Sequence, residues 1–224
     1  MPIPVIINDT EDVNVGVADL VFAEPAGLAV GDLLLACLAN FSSVGGVIAT
    51  PGNITGFTST LTNTAADGTS TITSRLTRRV ADGTEGPTYT SAIADGTGSS
   101  GKLLRIAGVD TVNPVNNTGS SEGTGTTLTF PVVAVVGSRR CLAVAMVNGD
   151  GSVAGGTDDW QLYDAYDGDP GSAAIYYRIV VPGQSTNAAT IGGLTSNTWS
   201  VDVVILAPPD APEPGLWNSG VRRG

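Results

Sequence analysis

The chain contains no histidine among its 224 residues. That absence removes His-based catalytic triads, the usual zinc ligand sets and the commonest general base together. Any enzymatic chemistry would have to rest on carboxylates. Lysine is almost missing as well: Lys102 stands alone, and the rest of the ten basic residues are arginine. Arginine serves bidentate interface contacts better than a solvated surface, so the skew points to a surface covered by partners. The helix formers Leu, Glu, Lys and Gln are scarce, and no segment joins a sustained 3.6-residue apolar period to capping signals. Helices are therefore expected to be short or absent. No apolar run approaches the roughly 20 residues that a membrane helix needs. Met1-Pro2-Ile3-Pro4 also lacks the charged and apolar regions of a secretion signal. A soluble protein made in the cytoplasm and not secreted is expected.

The residues that are present favour strands and turns. Thirty Gly, 13 Pro and many Thr and Ser residues suit pleated segments separated by tight turns. Twenty-one acidic residues against ten basic ones give a net charge of -11. Such a surface repels phosphate backbones and anionic lipid, so neither nucleic acid nor a membrane is an expected partner. Cys37 and Cys141 lie inside apolar, strand-like runs. There a free thiol acts as a small hydrophobe, and reduced core thiols are expected rather than a disulfide.

An internal repeat organises the chain. Leu20-Val21-Phe22 precedes the apolar run ending at Asn40, and Leu128-Thr129-Phe130 precedes, at the same offset, the run ending at Asn148. Leu20, Phe22 and Asn40 thus align with Leu128, Phe130 and Asn148. Ser74 to Gly83 corresponds to Ala173 through Gly183, and each half closes on a strand, Lys102 to Val109 and Ser200 to Ala207. Leu33 to Ala39 and Cys141 to Val147 are apolar on both faces and read as central strands. Ile72, Leu76 and Val80, and likewise Trp199, Val201, Val203 and Ile205, alternate with polar residues. They read as half-buried strands with one wet face. Asp67-Gly68, Asp82-Gly83, Asp95-Gly96, Asp150-Gly151 and Asp167-Gly168 supply turns.

The expected fold is therefore all-β, a jelly-roll-like antiparallel β-sandwich in one domain over residues 1–207. It is built from two similar halves, about 20–110 and 128–207, read as two interleaved Greek keys. Residues 208–224 differ in character. Pro208, Pro209, Pro212 and Pro214 favour an extended, polyproline-like arm leading to Leu216-Trp217 and then Arg222-Arg223. An apolar pair and a basic pair on such an arm form a candidate device for docking on a neighbouring subunit.

The densest acidic cluster holds Asp158, Asp159, Asp164, Asp167 and Asp169, with Trp160, Tyr163 and Tyr166 interleaved. Carboxylates beside aromatic platforms would suit a glycan-binding cleft or a carboxylate glycosidase. The plainer reading makes Asp167-Gly168-Asp169-Pro170-Gly171 a hairpin turn and the aromatics core or loop anchors. The Asp167-x-Asp169 spacing lacks the remaining oxygens of a calcium loop, so no metal or other cofactor is expected. Tyr176 and Tyr177 fall on opposite faces of one strand, one in the core and one exposed.

Three segments in order carry a resemblance. They are Val30-Gly31-Asp32-Leu33-Leu34-Leu35-Ala36, Arg79-Val80-Ala81-Asp82-Gly83-Thr84-Glu85, and Leu104 to Val115 with its Gly108-Val109-Asp110-Thr111-Val112-Asn113-Pro114 centre. Together they resemble a β-sandwich domain of tailed-bacteriophage structural proteins, found in minor tail, fibre-associated and head decoration proteins. Where that pattern has a Gly-Trp pair, this chain has Gly56-Phe57 and Asp159-Trp160. The resemblance implies a fold and a virion location and carries no catalytic residues. The function expected is thus a non-enzymatic capsid decoration or head-surface protein anchored through its termini. Its partners would be the major capsid protein or tail and neck subunits, and it would form a homo-oligomer such as a trimer. The alternative is a tail-tip or fibre module that binds host glycan through Trp160, Tyr163, Tyr166, Asp167 and Asp169.

Overall fold

The computed structural model describes residues 3–153, 155, 157, 159–166, 171–186, 189–192 and 198–209. Among these the chain forms strands and no helix. The first half supplies β1 (Val5–Val15), β2 (Leu20–Ala23), β3 (Leu33–Ser42), β4 (Thr58–Ala66), β5 (Thr71–Val80), β6 (Thr88–Ser91) and β7 (Gly98–Ala107). The second supplies β8 (Val115–Thr124), β9 (Thr127–Thr129), β10 (Cys141–Gly149), β11 (Gln161–Tyr166), β12 (Ser172–Val180), β13 (Thr190–Gly192) and β14 (Thr198–Leu206).

The strand orders establish the duplication. One five-stranded sheet runs β1-β7-β3-β5-β4 and the other, read from its opposite edge, β8-β14-β10-β12-β11, the same order seven strands later. The two-stranded sheets β2-β6 and β9-β13 obey the same rule. Within each half the pairs nest: β1 with β7, β2 with β6 and β3 with β5. This is the wrapping of a folded-over antiparallel ribbon, the jelly-roll device. It occurs once in each half, and among the described residues no sheet mixes strands of the two. The expected interleaving of two Greek keys is thereby corrected. Each half closes its own roll, because every strand finds its ladder partner within about 100 residues of chain.

Three apolar cores follow, and they define four layers. Leu20, Phe22, Leu34, Leu38 and Leu103 pack between β2-β6 and the first large sheet. Leu128, Phe130, Trp160, Tyr176 and Trp199 pack between β9-β13 and the second. Leu35, Cys37, Leu76, Leu104, Val144, Met146 and Val204 join the two large sheets face to face. Gly101 is small for a reason: a Cβ there would lie 2.7 Å from the Phe22 ring.

The four layers correct a second expectation. β5 and β14 do alternate, yet β14 is buried at every position and β5 is buried on both faces over Thr71–Ser74. The expected wet face of β14, with Ser200 and Asp202, lies against the other half, where Asp202 accepts from Ser74 across the interface. That of β5 is covered within its own half, where Thr71 donates to Gly46 O, Thr73 to Ala49 O and Thr77 to Asn53. By contrast β3 and β10 are buried throughout and central in their sheets, as their unbroken apolar runs imply.

The repeat is also displaced by one residue within β3 and β10. Leu20, Phe22, Leu128 and Phe130 all face the inner cores of their halves. Asn40, however, donates to Ala49 O and Asp95 O on that inner side, whereas Asn148 bonds Ser200 on the face between the halves. The true equivalence of β3 and β10 thus differs by an odd number from the Leu-x-Phe offset, since a one-residue shift reverses every side chain.

The halves are related by an approximate two-fold axis along the strands. Edge strand β4 lies over β8 and β14, β5 over β14 and β10, and β7 over β12. Such an axis preserves strand direction, so equivalent loops share one end of the molecule. Ile3, the connection after β7 and the exit after β14 converge at that end. Asp110 N donates to Ala207 O at 2.8 Å, Ala207 N to Pro114 O at 2.9 Å, and Gly108 packs against Ile3. The opposite end carries the loop after β3, where Asn40 and Asp95 fasten Ala49.

Candidate functional site

The acidic and aromatic residues of 158–169 do not form one open cleft. Trp160 is buried against Phe130 in a stacked arrangement at 4.8 Å, with Arg178 over its ring. The expectation of Trp160 as a glycan platform is corrected: its ring fills the second inner core and offers no face to a sugar. Tyr163 and Tyr166 lie on edge strand β11 and are half-buried. Asp158, Asp167 and Asp169 lie outside the described residues. Tyr176 is fully buried, and its hydroxyl accepts from Gly155 N and donates to the Gly155 carbonyl; Tyr177 is half-buried at the interface between the halves. Cys37 and Cys141 are free, buried thiols, each pushed up in pKa by burial.

What gathers instead is a charged clasp around the single lysine. Lys102 on β7 reaches Asp164 on β11 at 2.6 Å, Glu11 on β1 at 2.5 Å and Asp9 at 3.4 Å. The Tyr163 hydroxyl donates to the other oxygen of Asp9 at 2.9 Å. A β-bulge between Leu162 and Asp164 interrupts the ladder of β11 at this point. Burial alone would lower the Lys102 pKa, but hydrogen bonds to Asp164 and Glu11 and the charge of Asp9 outweigh it and raise it. Asp164 is correspondingly lowered, its partial burial overcome by the Lys102 bond. Burial and the bond to Asp9 push the Tyr163 hydroxyl up to about 12. The ammonium is held protonated, which suits a fastening between halves and not a nucleophile. Lone Lys102 stands out in the sequence, and Asp164 belongs to the acidic cluster; Asp9 and Glu11, 93 and 91 residues from Lys102, carry no such mark.

Above β1 and β11 the two large sheets part. An apolar groove of about 180 Å³ opens there, lined by Val5, Ile6, Leu142, Tyr163, Tyr177 and Ile179. On the other flank β4 meets β8 and β14 directly, and Asn63 donates to Ser121 O at 3.3 Å. The approximate symmetry is therefore broken at the flanks, one sealed and one open.

Where the chain leaves the body, Pro208 is buried and its carbonyl accepts from Arg139 at 3.2 Å. Beside it lies a polar cleft of about 380 Å³ bordered by Asp110, Asn113, Asn116, Ser138 and Arg139. Pro209 is half-buried; Pro212, Pro214, Leu216, Trp217, Arg222 and Arg223 lie outside the described residues.

The segments that carry the phage-protein resemblance build this same end. Gly31 adopts φ +91° at the turn into β3, and Asp32 accepts from Arg105 Nε at 2.6 Å. Arg79 pairs with Asp82 and Glu85, both at 3.2 Å, and Asp110 caps the turn through Val112 N and Asn113 N. These residues are turn and strand fasteners. Among the described residues no group of three or more His, Cys, Asp or Glu side chains is placed to hold a metal ion, and no helix is long and apolar enough to cross a membrane. Comparison with protein families, with curated proteins and with solved structures finds no match to any of the three.

Proposed function

We propose that this chain is a structural virion protein of a tailed bacteriophage, a head-surface protein that attaches through the end where its described chain enters and leaves. The observation that carries the attachment is the convergence of Ile3, the Asp110–Pro114 connection and Pro208 at one end, beside a polar cleft. The virion setting rests on the sequence resemblance of residues 30–36, 79–85 and 104–115. Two rolls cemented through a continuous apolar core suit a rigid, load-tolerant body. An attachment end opposite a set of loops suits a protein that stands out from a lattice. The glycan-binding alternative loses its central platform with Trp160 buried.

The test is electron microscopy of particles carrying the full chain beside particles carrying a chain without residues 210–224. Density repeated over the capsid lattice and lost on truncation is the expected result. Density confined to a few copies at the tail tip, or occupancy unchanged by truncation, would overturn it.

A further inference from the structure

The joint between the halves is apolar across its middle and polar at its sealed flank. Leu35, Leu76, Leu104, Val144 and Met146 fill the middle. At the sealed flank β4 packs over β8 and β14; β4 and β8 are edge strands, each with a ladder on one side only among the described residues. β8 brings a single aliphatic side chain, Val115, and otherwise small or polar residues. Asn63 ties the two strands through Ser121 O. With so little apolar burial, this flank is the part of the joint that opens at least cost.

Asp202 lies just inside that flank, fully buried. Ser74 from β5 donates to it, and the Asn63 side chain from β4 bonds it as well. Within its own sheet it is level with Ser120 of β8 and Met146 of β10. Glu122, two residues along β8, adds a second negative charge. On β3 the Cys37 thiol feels the Asp202 charge and is kept neutral by burial. The cations are engaged elsewhere. Lys102 is held in its clasp, and Arg78, on the same face of β5 but roughly 13 Å along from Ser74, bonds Thr60. A carboxyl so placed is tolerated neutral and penalised as an anion, because a hydroxyl and an amide do not replace the water it gives up. Movement of β4 away from β8 and β14 returns it to water and leaves both inner cores packed.

We infer that the joint between the two halves is worked by a proton: Asp202 protonated keeps the flank of β4 and β8 shut, and Asp202 ionised lets it open to water. Burial raises the Asp202 pKa from 3.8 to about 6 in the closed form. Closure is therefore favoured fully below the ordinary carboxylate value, and that advantage is lost as pH rises through 6. An open flank that restores the ordinary pKa gains roughly a hundredfold in relative population between pH 3 and pH 8. Lys102 is raised and Asp164 lowered, so both stay charged above pH 5 and the halves remain fastened on the opposite flank.

Hydrogen–deuterium exchange of the full-length chain and of Asp202→Asn, each compared at pH 4 and at pH 8, tests this. Comparing the two proteins at one pH cancels the intrinsic pH dependence of exchange. At pH 8 the variant is expected to slow the ladder amides of β4 and β8 by up to roughly a hundredfold, and at pH 4 by no more than about threefold. Amides of β2 and β6, on the first inner core, should exchange alike in both proteins. Equal exchange in β4 and β8 at pH 8 would overturn the inference. So would a difference spread evenly over every strand, because the acid would then act only on the whole fold. If Asp202→Asn does not fold, wild type decides: exchange in β4 and β8, corrected for its intrinsic rate, should rise with pH and level off near 6. Glu122→Gln, at an exposed position, should bring that plateau to lower pH, and a flat wild-type profile would overturn the inference. The device is independent of the attachment reading, which stands or falls on particle occupancy alone.

Discussion

Replacing Asp202 with asparagine should stabilise the protein at pH 8 and change it little at pH 3. Asp202 is fully buried on β14 between the two large sheets, where Ser74 from β5 donates to one oxygen and, among the described residues, only the side chain of Asn63 approaches the other. Burial raises its pKa from 3.8 to about 6, against the opposing pull of Ser74 and the nearby Asn63, with the Glu122 charge adding to the rise. An acid whose folded pKa lies above its unfolded value favours the fold when protonated. That benefit is complete below the unfolded pKa and is lost as pH rises through the folded one. Two pKa units and a little more correspond to about 3 kcal/mol between the limits. Asparagine keeps the shape and cannot ionise. Urea titrations of both proteins should show the variant ahead by about 2–3 kcal/mol at pH 8, a gap that closes through pH 6 to near zero at pH 3. In melting temperature the gain is roughly 5–10 °C for a chain of this length. An equal offset at both pH values, or a variant less stable than wild type at pH 8, would refute the assignment of a buried, ionising carboxylate.

Two further substitutions probe the clasp and the second inner core. Lys102→Gln leaves Asp9, Glu11 and Asp164 facing one another; because Glu11 and Asp164 are about half exposed, the loss at pH 7 should be only about 2 kcal/mol. Since the Asp164 pKa is lowered by Lys102, the loss should shrink as pH falls below the carboxylate range, and denaturation at pH 3 showing the same deficit would contradict the clasp. Trp160→Ala should cost roughly 3–5 kcal/mol in chemical unfolding, as for a large aromatic removed from a packed core. A Trp160→Ala protein as stable as wild type but altered in sugar binding would return that residue to the surface.

Much of the architecture was legible because it is local and periodic. The Leu-x-Phe motifs at 20–22 and 128–130 mark equivalent inner-core strands, and the unbroken apolar runs of β3 and β10 are the covered, central strands they imply. Matching Asn40 with Asn148 failed because apolar runs align equally well one residue apart, and only the facing of each side chain distinguishes the registers. The wet faces assigned to β5 and β14 were wrong for a related reason. Ser, Thr and Asp between apolar residues look the same whether they meet water, a polar partner on another sheet, as Asp202 does, or loop carbonyls, as Thr71 and Thr73 do. The joining of Lys102 to its three carboxylates could not be read, since it brings together β1, β7 and β11 at a bulge that no local pattern announces.

Two free subunits related by a true dyad must accept each mutation twice, once on either side of the axis. Joining the halves through residues 108–114 lifts that constraint. Here Asp202 is a buried acid present on one side only, Lys102 has no counterpart lysine, and one flank is shut while the other gapes. A covalent pair can thus spend one flank on cohesion and release the other to vary, a division of labour that identical subunits related by symmetry cannot reach.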